Sequence, residues 1–151
     1  AFTWATHADL AVAFIKTTGL RLLLPDLKSM VDSGASHRVR VLTSDYLDIT
    51  DPEALRLLLL LQERGAEVRV YTTQEESFHL KAYIFARLDQ QGLIAGTAFI
   101  GSSNISRQAL RDGLEWNYRV IYPGDSGLLE ARQRFEELFG HSKTVPLSDA
   151  W

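Results

Sequence analysis

Two spacings of apolar residues alternate along this chain, a two-residue period and a three-to-four-residue stripe, and each change of period marks a new element. Ala11 to Ile15 is a short apolar run of strand type. Leu20, Leu23, Leu24, Leu27, Met30 and Val31 then fall on one helical face that ends at Ser33-Gly34, with Pro25 placed to kink or divide it. Arg38 to Thr43 alternates as a strand. Asp51-Pro52-Glu53 is a helix start, with an acceptor at the cap and proline in the first turn. The helix it opens runs through Leu55 to Leu61 and stops near Gly65, and Glu67 to Thr72 is again a strand.

Helices between short β-rich runs predict βαβ units, hence an α/β fold with a mixed, largely parallel sheet flanked by helices. The second half changes rhythm. Strands around Phe78 to Phe85 and Thr97 to Gly101 are separated by a polar, glycine-bearing loop, Arg87 to Gly96, and can pair as a hairpin. A short helix from Ile105 to Asp112, a strand from Leu114 to Tyr122 and an amphipathic helix from Leu128 to Phe139 follow. The predicted core holds Val12, Phe14, Val41, Val70, Ile84, Phe99 and Ile100. No repeat, low-complexity stretch or linker interrupts the pattern, so residues 1–151 read as one domain.

Composition narrows the class. Apolar residues make up 46% and charged residues 23% of 151, the balance of a soluble globular domain. The longest apolar run, Leu57 to Leu61, is far too short to cross a bilayer, and no signal segment opens the chain. With no cysteine, a disulfide framework and a Cys-based zinc site are ruled out, which fits a cytoplasmic location. A net charge of −3 argues against holding nucleic acid by bulk charge, though a local basic groove needs only a few cations. The first residue is Ala1, which suggests a processed product or a domain cut from a longer chain.

Three short segments carry candidate chemistry. In Phe78-His79-Leu80-Lys81, the histidine and lysine are two apart on a strand and leave the same face. An imidazole beside an ammonium suits an anionic ligand, since lysine holds phosphate oxygens and histidine attacks or shuttles a proton near neutral pH. Alone, such a pair is more often a polar strand face in water. Gly101-Ser102-Ser103-Asn104 reads as a strand breaking into a polar turn and a helix, where Ser and Asn either offer donors to an anion or simply cap the helix. In Gly113 to Val120, Leu114, Trp116, Tyr118 and Val120 take one side, and Glu115, Asn117 and Arg119 the other. Glu115 is either solvated or orients a histidine, as a carboxylate does in a triad.

Together, His-x-Lys on a strand, Gly-Ser-x-Asn after the next strand and a Glu on the strand after that resemble the phospholipase D superfamily. Within it the likeness is to phospholipase D-like nuclease domains attached to bacterial superfamily II helicases or to metal-independent restriction endonucleases. Ala11 to Ile15, Leu42 to Leu47, and Ile100 to Arg107 with Gly113 to Asn117 support it, and it covers nearly the whole chain. The resemblance implies that His79 is the nucleophile, forming a phosphohistidine, or the general acid. Lys81 and Asn104 would bind the non-bridging oxygens, with Ser102, Ser103 and Arg119 beside the substrate and Glu115 holding the imidazole. No metal or cofactor is implied.

The sequence departs from the family pattern at Ala86, where an aspartate is usual, and Asp89 is too far along to replace it. The family's chemistry also uses two histidines, and only one motif is present. His7, His37 and His141 lack a following lysine and read as surface residues, so the second histidine is expected from a homodimer. The resulting expectation is a metal-independent, dimeric phosphodiesterase of nuclease type acting on DNA. It would be helicase- or restriction-associated, with a helicase domain in the same full-length chain and no membrane contact. Arg38, Arg40, Arg107, Arg111 and Arg119 either contact phosphate or are solvated. The alternative is a non-catalytic DNA-docking or dimerisation module that kept the fold, and phosphatidyl transfer ranks last.

Overall fold

The computed structural model of the chain describes residues 4–12, 17–34, 36–44, 52–72, 81–101, 117–124 and 126–147. The elements in chain order are β1 (His7–Val12), α1 (Thr17–Asp32), β2 (Arg38–Ser44), α2 (Pro52–Glu63), β3 (Glu67–Tyr71), β4 (Lys81–Asp89), β5 (Gly92–Gly101), β6 (Asn117–Tyr122), α3 (Gly127–Phe139) and β7 (Thr144–Pro146). The strands form one sheet in the order β6-β5-β4-β1-β2-β3-β7.

This is the α/β architecture that the pattern predicts, with a different balance of directions. β1–β2 and β2–β3 run parallel, whereas β1–β4, β3–β7, β4–β5 and β5–β6 are antiparallel, so the sheet is mixed but not largely parallel. α1 and α2 supply the crossovers that the parallel pairs β1–β2 and β2–β3 need, whereas β4 turns straight back into β5. The predicted loop from Arg87 to Gly96 is therefore mostly strand. Asp89 pairs with Gly92 across a two-residue turn, and the Asp89 carboxylate accepts a 2.8 Å hydrogen bond from the Gln91 N–H. β1 also starts earlier than its apolar run indicates, at His7.

Strand alternation gives the sheet two apolar faces. Leu10, Val12, Val39, Val41, Val68, Val70, Tyr83 and Phe85 pack with Leu20, Leu27 and Met30 of α1 and with Leu58 and Leu61 of α2. On the other face Ala11, Leu42, Ala82, Ile84, Ala98 and Val120 meet Leu128, Phe135 and Phe139 of α3. Of the predicted core, Val12, Val41, Val70 and Ile84 are buried, Phe99 and Ile100 are partly buried, and Phe14 lies outside the described residues.

Pro25 does not divide α1, which runs through it as one helix. It sits on the exposed side, where water can serve the carbonyl that lost its N–H partner. α2 ends in a Schellman pair, Ala66 N–H to Leu61 C=O at 3.3 Å and Gly65 N–H to Gln62 C=O at 3.0 Å, with Gly65 at φ 124°. Gly96 is needed for a different reason. A Cβ there would run into Leu128 Cδ2 and stand 3.0 Å from the Phe85 carbonyl oxygen, so α3 rests directly on the β5 backbone.

Candidate active site

Lys81 is the first residue of β4 and pairs with Val12, the last residue of β1. One strand further, Ala82 pairs with Ile100, and Gly101 at the end of β5 pairs with Asn117 at the start of β6. One edge of the sheet thus carries the carboxyl ends of β1, β2, β3 and β5 and the amino ends of β4 and β6. In open α/β sheets the carboxyl edge of the parallel strands is where ligands bind. Lys81 is half-buried and alternates with Ala82 and Ile84, which belong to the α3 face, so it shares the opposite face with Tyr83 and Phe85.

Arg119 lies on that same face, because Tyr83 pairs with Phe99 and Phe99 with Arg119. It is exposed, its guanidinium carbon 5.6 Å from the Phe99 ring centre and its Nε 3.4 Å from Thr97 Oγ1. Two strand spacings separate β6 from β4, about 10 Å. Arg119 therefore stands at the rim of the Lys81 position rather than against it. His79, Ser102, Ser103, Asn104 and Glu115 lie outside the described residues, as do Arg107 and Arg111. The expected meeting of His79, Lys81, Asn104 and Glu115 lies outside them too.

Position 86, where the family aspartate is missing, is buried on β4, opposite His7 on one side and Gly96 on the other. Asp89 does not take its place: its carboxylate is engaged at the tip of the hairpin.

Two of the arginines read as phosphate contacts or solvated side chains have other work. Arg40 is 2% exposed and forms a two-pronged pair with Asp9, Nε to Oδ1 at 2.7 Å and Nη2 to Oδ2 at 2.8 Å. Its Nη1 reaches the Glu136 carboxylate of α3 at 2.6 Å, and its guanidinium carbon lies 4.8 Å from the Phe135 ring centre. Burial disfavours the charged guanidinium, but the hydrogen bonds and charges of Asp9 and Glu136 outweigh it and hold its pKa above the ordinary arginine value. Arg38 instead pairs with Glu67 at 2.8 Å in a more exposed setting. Sequence reasoning missed this buried cluster, and the signal was slight: Arg38 and Arg40 two apart on β2, and Asp9 on β1.

His7, read as a surface residue, is half-buried at the far end of β1, its Nδ1 2.8 Å from Thr6 Oγ1. Burial lowers its pKa; Asp9 opposes this, and Arg132, Arg38 and Arg40 add to it. His37 is partly buried, and His141 is exposed, its Nδ1 accepting the Lys143 N–H at 3.0 Å.

Helices on both faces of a mixed sheet, with a half-buried lysine heading a strand at the carboxyl edge of the parallel strands, define a three-layer α/β/α domain. The chain belongs to the phospholipase D-like domain family: residues 6–142 match the family described as cardiolipin synthase, PLD-like domain. Catalysis in that superfamily is typically phosphodiester cleavage or phosphoryl-group transfer. Among solved structures, polyphosphate kinase from Porphyromonas gingivalis has a similar fold, with a TM-score of 0.62 at 14% identity over 90% of this chain. The chain spans 22% of that kinase, so the likeness concerns the fold. No curated protein matches the sequence.

Proposed function

We propose that this domain is a metal-independent phosphodiesterase of nuclease type that cuts DNA as a homodimer, alongside a helicase or restriction partner. The observation that carries it is the lysine of the His-x-Lys pair standing at the head of β4, in register with the carboxyl end of β1. Chain connectivity limits the rest. His79 is two residues from Lys81, Asn104 three from Gly101 and Glu115 two from Asn117.

In this mechanism Lys81 and Asn104 neutralise the non-bridging oxygens as charge grows, with Ser102, Ser103 and Arg119 beside the strand of DNA. His79 attacks phosphorus and the leaving oxygen takes a proton from the His79 of the partner subunit. Water then releases the phosphohistidine, and Glu115 steadies the imidazole through its second N–H.

Incubation with plasmid and single-stranded DNA in the presence of chelator tests the reading. The wild-type chain should cut, and His79→Ala should lose on the order of 10³-fold or more in rate. Equal cutting by both proteins would refute the role of His79. Ala86, buried where the family carries a carboxylate, favours the second reading, a DNA-docking or dimerisation module without turnover. Binding without cleavage by the wild-type chain would select it.

A further inference from the structure

On the face of the sheet opposite Lys81, a cavity of about 300 Å³ lies between α3 and β4, β5 and β6. Ala82, Ile84, Ile100 and Val120 form its floor, and Ala131 and Phe135 its roof. It stays open because α3 cannot settle onto it. Leu128 already rests on Gly96 at one end, and at the other Phe135 and Phe139 are held under Arg40 and Arg69. Between these supports the opposed residues, Ala82 and Ala131, are small.

Water gains little there, since a bound water needs two to four polar partners and the floor has none among its side chains. The volume lies at the lower end of the range for small-molecule sites and has room for roughly ten groups of about 30 Å³ each. The mouth is charged: Glu130 and Arg134, one helical turn apart, form a loose pair at 3.6 Å with both side chains about 70% exposed. Glu130 is in the first turn of α3, where the helix dipole already favours a negative charge. Arg134 is the cation at the mouth, held only by that loose exposed pair, and an incoming anion would meet it there.

We propose that this cavity binds a single aliphatic chain with an anionic head, the tail between Ala82, Ile100 and Ala131 and the head on Arg134. The site is independent of the phosphodiester chemistry on the other face, and neither reading depends on the other.

Sodium decanoate below its micelle concentration is the probe, with decanol and sodium hexanoate as comparisons. In the wild-type chain, decanoate should shift the methyl resonances of Ile84, Ile100 and Val120 while leaving those of Val41 and Val68, on the far face, in place. Ala131→Phe fills the cavity and should weaken decanoate at least about tenfold. Arg134→Gln should weaken decanoate about fivefold and leave decanol unchanged, the range of an exposed charge contact. Hexanoate, too short to fill the space, should bind more weakly than decanoate. Absence of the methyl shifts in the wild-type chain would overturn the proposal, and that measurement needs no variant to fold. Unchanged affinity in Ala131→Phe would place binding elsewhere, and unchanged decanoate affinity in Arg134→Gln would remove the anionic head.

Discussion

Asp9 and Arg40 face each other inside the sheet–helix interface, and each makes the other's charge tolerable. Asp9→Asn should cost about 3–5 kcal/mol, because it leaves the Arg40 guanidinium buried with only exposed Glu136 to balance it. Replacing both, as Asp9→Leu with Arg40→Met, should cost less than Asp9→Asn alone, since no charge is then stranded. Urea unfolding of the three proteins decides it, and a double variant weaker than Asp9→Asn would show that the pair itself contributes net stability. His7 gives a pH dependence of definite sign. Its folded pKa lies below the unfolded value, so below pH 6.5 the unfolded chain binds more protons and stability falls. The loss is complete only below the lowered pKa. Melting temperatures at pH 7.5 and 5.5 should fall further for the wild-type chain than for His7→Gln, and parallel falls would assign the slope to other groups.

At the scale of elements, α3 packs on the sheet through Leu128, Phe135 and Phe139, with Gly96 seating the first and Arg40 and Arg69 lying against the other two. Gly96→Ala should destabilise the protein by about 1–3 kcal/mol, because the new methyl meets Leu128 and the Phe85 carbonyl and Leu128 must move off β5. A melting temperature within a degree of wild type would mean that Leu128 repacks freely. The helices and β2, β3 and α3 were legible in the sequence because their apolar spacing is regular. β1 was misplaced because its inward residues include His7 and Asp9, which look like solvent-facing positions until Arg40 is seen opposite. The hairpin was expected, but its loop was drawn too long: Asp89, Gln90, Gln91 and Gly92 mark only the tip, and Arg87 and the glycines at 92 and 96 break the alternation of strands that in fact pair down to Asp89 and Gly92. β7 was missed: three residues ending in proline carry no periodic signal. Of the site, the sequence supplied the motif and the structure supplies the edge and the face of Lys81 and Arg119. The convergence of the remaining residues was a reading of motif order, which strand register cannot supply for residues beyond the strand ends.

For the whole molecule, the single His-x-Lys motif predicts shared catalysis. In-line displacement needs a nucleophile and an acid on opposite sides of phosphorus, and one His79 cannot be both. A heterodimer of wild-type and His79→Ala chains, isolated after exchange, should therefore lose most of its activity. Retention of about half the wild-type rate would mean that each chain works alone, and a monomer by light scattering would say the same.

The last strand of the sheet also bears on how the chain is made. β7 pairs with β3, and the Leu147 N–H donates to the Val68 carbonyl at 2.9 Å, so residues near the C-terminal end close an edge laid down midway along the chain. During synthesis, β3 must wait for some seventy more residues with its outer N–H and C=O groups unmatched by this partner. A ribosome-bound or proteolysed fragment ending before Thr144 therefore presents a strand ready to pair with a neighbouring copy. Pro146, with no N–H to donate, helps to blunt the finished edge against the same event.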